Sequence, residues 1–235
     1  MESTPPRPPA RDLVRWAVKM LAQLVVFGLI LFLVAGRLNC RGGWAFILIG
    51  AATQVLSAIL FLPKHADLIA ERSKMQANTK PWDRVLAPLV SMAGPLALVL
   101  VGGLDARFHW SAEPPLGLFL LAVLFGLGSS IFVLWAMLTN RFFAATVRIQ
   151  EDRGHHVVES GPYRIVRHPG YLGAVVYDLV VPLVLGSAWA FMPAAVTIAL
   201  IFVRTALEDR TLQAELPGYA QYAQRTKFRL LPGIW

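Results

Sequence analysis

The apolar positions of this chain fall in long unbroken runs, with no sign of the alternation of a half-buried strand. Residues 16–35, 43–62, 85–104 and 116–138 are almost free of charge. A hydrocarbon layer about 30 Å thick takes roughly 20 apolar helical residues to cross, so each run predicts a spanning helix. A fifth apolar stretch, 171–203, is too long for one span and short for two. Pro182, Gly186 and Pro193 interrupt it, which predicts a tight hairpin of two short or tilted helices meeting near 186–189. The expected fold is therefore all-α: a polytopic membrane helical bundle of four spanning helices plus a C-terminal helical hairpin. Residues 1–15, with the run Thr4-Pro5-Pro6-Arg7-Pro8-Pro9, are expected to be a disordered tail. Residues 16–138 form the scaffold, and 139–235 hold a polar loop, the hairpin and a C-terminal helix. The first apolar run is about twice a signal-peptide core and lacks a small-residue cleavage site after it, so it is read as a retained helix.

Composition agrees. Only 15% of residues are charged and mean hydropathy is +0.56, against about 25% charged in soluble domains. The net charge of +8 could indicate nucleic acid, but its distribution indicates membrane orientation. With the N-terminus placed in the cytoplasm, all but three of the 22 Lys and Arg residues fall in cytoplasmic segments, the exceptions being Arg37, Arg41 and Arg107. Cationic loops are retained on the cytoplasmic side, and six crossings return the C-terminus there. Both termini are thus expected in the cytoplasm, with a bacterial inner membrane as the location. Trp82-Asp83-Arg84 reads as headgroup anchorage. The single cysteine, Cys40, excludes an internal disulfide and a multi-cysteine metal site, and reads as an exposed thiol in a short outer loop.

Candidate chemistry gathers after residue 138. Between Asn140 and Tyr171 stand His155, His156 and His168, with Tyr163 and Tyr171 around a Gly161-Pro162 turn. A polar loop between membrane helices must satisfy its own backbone, so it is expected to have a defined structure. Gly154 and Gly161 open backbone angles closed to other residues, and Pro169 favours a helix start. The histidines lack an accompanying HExxH pattern, and no metal is assigned to them. Gly126-Leu127-Gly128-Ser129-Ser130 lies within an apolar helix with no preceding strand, so it reads as packing and not as a nucleotide loop. Beyond the hairpin, Arg204, Glu208, Thr211 and Glu215 share one helical stripe. The bland reading is a solvated helix with an i,i+4 ion pair. A charged pair at a membrane boundary beside a polar loop is instead a functional hypothesis.

These residues carry a resemblance. Gly161-Pro162-Tyr163-Arg164, Arg167-His168-Pro169-Gly170-Tyr171-Leu172-Gly173, the Arg204/Glu208 pair and Leu216-Pro217-Gly218-Tyr219-Ala220-Gln221-Tyr222 together resemble the isoprenylcysteine carboxyl methyltransferase family of integral membrane methyltransferases. The resemblance covers about residues 140–235; the earlier helices match in character alone. It implies an S-adenosylmethionine pocket made by the loop, the hairpin and the following helix. The cofactor contacts it implies are Gln150, His155, His156, Val157, Val158, Tyr163, His168, Pro169, Gly170, Tyr171 and Glu208. It implies that Arg204 contacts the substrate.

Elementary chemistry fits that implication. Glu208 can face a cationic or hydroxyl part of the cofactor, His155 and His168 can bind its carboxylate, and tyrosines can cover adenine or the sulfonium. The planar fork of Arg204 suits a carboxylate acceptor. A carboxylate is already ionised at neutral pH, so no general base is required. The expected function is methyl transfer to a lipophilic acceptor that enters from the bilayer, with membrane lipids as neighbours and no nucleic-acid partner. Alternatives are N-methylation of a phospholipid or other amine on the same fold, a membrane reductase using NADPH, and a non-catalytic membrane protein.

Overall fold

A computed structural model describes residues 10–63, 65–72 and 76–235. The Pro-rich start at residues 1–9, and with it most of the expected tail, lies outside the described residues. Helix α1 spans Ala10–Ala35 and α2 Arg41–Phe61, followed by a short helix α3, Ala66–Arg72. The third apolar run is composite: α4 (Asp83–Pro88), a π-turn (Leu89–Ala93) and α5 (Gly94–Phe108). Pro88 and Pro95 each lack an amide donor, and the π-turn between them absorbs the lost bonds. Helix α6 covers Leu116–Thr139, α7 Pro169–Leu185, α8 Phe191–Glu215 and α9 Tyr219–Arg225. Among the described residues every regular element is helical.

Among the described residues five helical segments are long and apolar enough to cross a membrane: Leu13–Ala35, Arg41–Phe61, Asp83–Phe108, Leu116–Thr139 and Phe191–Glu215. Helix α7 is shorter and apolar. The hairpin break falls where Gly186, at φ 72°, takes the left-handed conformation that ends α7. One boundary differs from the sequence reading. Helix α1 begins at Ala10, so residues 10–15 are helical. Helix α8 runs without interruption to Glu215, which puts Arg204 and Glu208 on the same rigid rod as the membrane segment.

The core joins Phe27 and Leu31 of α1, Ile49 of α2, Val99 of α5, Ala122 of α6 and Val181 of α7. Large exposed side chains such as Leu33, Leu48, Leu124 and Val196 line the outside, as expected where the solvent is hydrocarbon. Helices α6 and α7 pack closely because Gly173 lets them: a Cβ there would stand 2.5 Å from Val133 and 3.1 Å from the Ser129 carbonyl.

The connections sort by end. Arg37, Arg41, His109 and Glu113 surround a small cavity at one end of the bundle with the close of α7. Cys40 is buried there and its thiol faces the Arg37 carbonyl at 3.9 Å, which corrects the reading of an exposed thiol. The residues around the α2–α4 connection, the 140–168 loop and the end of α8 meet around a separate cavity.

Candidate functional site

The long loop after α6 has no regular hydrogen-bond ladder, so side chains fix it. Arg148 and Arg153 point back to α3: Arg148 Nε donates to Glu71 at 2.8 Å and Arg153 Nη2 to Asp67 at 2.7 Å. Thr79 and Thr146 hydroxyls pair at 3.0 Å, and the Lys80 amide donates to the Val147 carbonyl at 2.9 Å. A short helix and the stretch of chain after it thereby clamp residues 146–153. On the other side, the Arg167 and His168 amides donate to the Phe228 and Arg229 carbonyls at 2.9 and 3.0 Å, so the C-terminal segment closes the site there.

Two buried carboxylates anchor the arrangement. Asp209 is fully buried and receives Arg167 side-on at 2.7 and 3.0 Å, Arg229 at 2.8 Å and Gln213 at 2.7 Å. The Tyr219 hydroxyl donates to it at 3.1 Å, and His168 Nε2 lies 3.4 Å away. Asp83 is also fully buried. It takes Arg204 Nε and Nη2 at 2.7 and 3.0 Å, and the Val147 amide at 2.6 Å. Such charges are tolerable away from water only because their partners and hydrogen bonds are complete.

Between these anchors lies a cavity of ≈ 230 Å³. Of the predicted residues, Gln150, His155, His156, Val157, Val158, Tyr163, His168, Gly170, Tyr171, Arg204 and Glu208 all line it. Pro169 does not; it is buried as the first residue of α7. Phe142 adds an aromatic wall, with His155 and His156 rings 4.6 and 4.8 Å from its own. Gly170 allows Phe143 to close in, since a Cβ there would lie 2.5 Å from that ring. Tyr219 and Tyr222 also line the cavity.

The geometry corrects several expectations. Arg204 and Glu208 do not form an i,i+4 pair. Arg204 turns to Asp83 and also donates to the Ala145 carbonyl at 2.9 Å, so its side-on fork is occupied and cannot clasp both oxygens of a substrate carboxylate. Glu208 instead accepts the Tyr171 hydroxyl at 2.5 Å and has no ion pair among the described residues. Glu215, on the same stripe, binds Lys80 at 2.6 Å. Thr211 satisfies its own helix through the Leu207 carbonyl. Trp82-Asp83-Arg84 is not simple anchorage, because Asp83 is the buried partner of Arg204.

The histidines and Gln150 are also more committed than the sequence implied. Gln150 donates to the Phe142 carbonyl at 2.7 Å and accepts Arg153 at 2.5 Å, so it holds the loop from beneath the cavity. His168 directs Nε2 toward Asp209 and the Tyr219 hydroxyl, each 3.4 Å away, and stacks on Tyr171. Burial first, then His156 and the nearby Arg148 and Arg153 charges, push the His155 pKa down to about 4. A neutral His155 can donate a hydrogen bond but brings no charge to a carboxylate. Burial raises the Tyr163 phenol, which therefore stays protonated. Among the described residues no group of His, Cys, Asp and Glu is placed to hold a metal ion.

Sequence reasoning missed Asp83, Asp209, Phe142 and Phe143. Asp209 carried a signal, since it directly follows Glu208 and the loop supplies Arg167. Asp83 carried none that separates it from a surface acid, its partner being 121 residues away.

Fold and cavity define the class: an all-helical integral membrane protein whose polar loop and C-terminal segment enclose a site at one end of the bundle. The sequence model of the Isoprenylcysteine carboxyl methyltransferase (ICMT) family matches residues 120–214, which bears out the resemblance and suggests a membrane methyltransferase. The match reaches back into α6 and stops short of Leu216-Pro217-Gly218-Tyr219. A curated relative is the Cobalt-zinc-cadmium resistance protein CzcN of Cupriavidus metallidurans (strain ATCC 43123 / DSM 2839 / NBRC 102507 / CH34), 40% identical over 87 residues, 33% of this chain and 37% of the relative. The chain thus spans little more than a third of the length of the curated relative it matches.

Proposed function

We propose that this protein is an S-adenosylmethionine-dependent methyltransferase for a lipophilic acceptor, with a carboxylate as the methyl-accepting group. The observation that carries the reading is Glu208: a carboxylate on the cavity wall with no cationic partner among the described residues, held by Tyr171 and faced by aromatic rings. A cationic ligand with flat, partly apolar parts fits that wall. S-adenosylmethionine has an ammonium, a sulfonium, a ribose and an adenine, and Glu208 would take the ammonium or a hydroxyl. Phe142, Tyr163, Val157 and Val158 would lie against the flat parts. The family match supports the same cofactor, which members of that family generally use.

When bound, the cofactor supplies an already activated methyl group, so the chain's own residues have three tasks: to bind, to align and to exclude water. Tyr171 fixes the Glu208 carboxylate. Asp83 fixes Arg204, which lies over the Tyr171 ring at 5.2 Å. Helix α8 carries Arg204 and Glu208 from the membrane segment without a hinge, so the acceptor is taken to enter from the bilayer and the cofactor from the cytoplasm. An amine acceptor would have to lose a proton before attack, a step that an ionised carboxylate does not need. In doubly wound folds a nicotinamide dinucleotide takes a glycine-rich backbone cradle for its phosphates. Gly170 is the one glycine among the described residues that line the cavity, and the Phe143 ring covers it.

The test is calorimetric titration of S-adenosylhomocysteine, S-adenosylmethionine and NADPH into the detergent-purified full chain. Saturable binding of the first two, weakened at least tenfold by Glu208→Gln, is expected. Binding of NADPH alone, or of none, would overturn the proposal.

A further inference from the structure

Among the described residues four guanidinium groups line the cavity: Arg72, Arg148, Arg167 and Arg204. Three have buried carboxylate partners, namely Glu71 for Arg148, Asp209 for Arg167 and Asp83 for Arg204. Arg72 is different. It ends α3, and among the described residues it has no ion pair; its contacts are a long 3.4 Å hydrogen bond to the Phe143 carbonyl and the Phe143 ring at 5.3 Å. The two acids of its own helix, Asp67 and Glu71, are turned away to Arg153 and Arg148. Burial, and then the Arg204 charge, push the Arg72 pKa down to about 10. It therefore stays protonated at neutral pH without a counter-charge among the described residues.

An arginine kept beside a second arginine, with Asp67, Glu71 and Asp83 paired to other arginines and Glu208 held by the Tyr171 hydroxyl, is a place for an anion from outside the chain. We infer that Arg72 holds the anionic group of the methyl acceptor, so that the acceptor is recognised as a lipophilic carboxylate by α3 and not by the fork of Arg204. This rests on the function proposed above. The location favours the acceptor over the carboxylate of the cofactor. Arg72 lies outside residues 120–214, the segment shared with the family, where cofactor contacts common to its members belong. Ser91, on the π-turn of the Asp83–Phe108 segment, lines the same cavity, so the cavity borders a helical segment long and apolar enough to cross a membrane, the side from which a lipophilic molecule would arrive. π-turns inside helices recur at functional sites, and Ser91 stands on this one.

The test measures binding without turnover, using oleate and oleamide as acceptor probes and S-adenosylhomocysteine as the cofactor probe. The wild-type protein, saturated with S-adenosylhomocysteine, is expected to bind oleate at least tenfold more tightly than oleamide. Arg72→Ala removes that preference and leaves S-adenosylhomocysteine affinity within about twofold, which also shows that the variant is folded. Arg72→Lys, which keeps the charge, restores part of the preference. No binding of oleate by the wild type, equal binding of acid and amide, or a preference that survives Arg72→Ala overturns the inference. So does a fall in S-adenosylhomocysteine affinity with the preference intact, which reassigns Arg72 to the cofactor. Failure of the wild type to bind S-adenosylhomocysteine at all would instead sink the methyltransferase reading.

Discussion

Asp83 and Arg204, 121 residues apart in the chain, meet side-on at 2.7 and 3.0 Å inside the protein. The pair joins the start of α4 to the middle of α8 and, through the Val147 amide, to the loop over the cavity. One carboxylate thus sets the position of three separately encoded parts of the site.

Removing one member of such a pair leaves an uncompensated buried charge, which costs about 3–5 kcal/mol. Asp83→Ala is therefore expected to lower the unfolding midpoint in detergent sharply and to weaken ligand binding. Replacing both residues, as Asp83→Leu with Arg204→Met, should recover part of the stability. Unfolding measured for both single variants and the double variant would give the coupling energy. Additive losses would show that the pair is not coupled.

Asp209 is predicted to hold the C-terminal segment. With Asp209→Asn, Arg167 and Arg229 lose their shared counter-ion, at a cost of about 2–4 kcal/mol. Limited trypsin digestion is the measurement, because Arg225, Lys227 and Arg229 lie in the released segment. Cleavage there should speed up well before the membrane helices are cut.

The Glu208–Tyr171 bond at 2.5 Å is predicted to orient the carboxylate and not to supply its charge. Tyr171→Phe should weaken S-adenosylhomocysteine binding modestly, by about 3–10-fold, in line with one hydrogen bond of roughly 1 kcal/mol. Glu208→Gln should cost more. The reverse order in titrations of the two variants would move the binding role to the phenol.

His155 ties stability to pH. Its pKa in the folded protein is about 4, against about 6.5 for an unperturbed histidine. Between those values the unfolded chain binds the proton that the folded chain refuses, so stability rises with pH and falls as pH drops from 6.5 to 4. Partial exposure limits the effect to about 1–2 kcal/mol. Unfolding midpoints for wild type and His155→Phe across that window should show a shallower slope in the variant.

Gly173→Ala should push α6 and α7 apart, because the added carbon meets Val133 at 2.5 Å and a backbone carbonyl at 3.1 Å. A loss of about 1–3 kcal/mol is expected from overpacking, read as a lower thermal midpoint without a change in helix content.

Helices, the hairpin break at Gly186 and the region of the site were all legible in the order of residues. They rest on local properties: the length of apolar runs, the backbone freedom of Gly186, and a motif contained within Gly161-Pro162-Tyr163-Arg164 and Arg167-His168-Pro169-Gly170-Tyr171. His155, Tyr163, Tyr171, Arg204 and Glu208 line one cavity, because loop and helix end are adjacent along the fold. Which charge meets which was settled by packing. Arg204 turned from Glu208, four residues away, to Asp83, because burial favours the partner whose remaining hydrogen bonds can also be completed. Arg167 found Asp209, and Arg72 was left without an acid among the described residues. A charged residue looks the same in a sequence whether its partner is water, a neighbouring turn or a carboxylate on a distant helix. The desolvation that separates these cases exists only once the helices have packed.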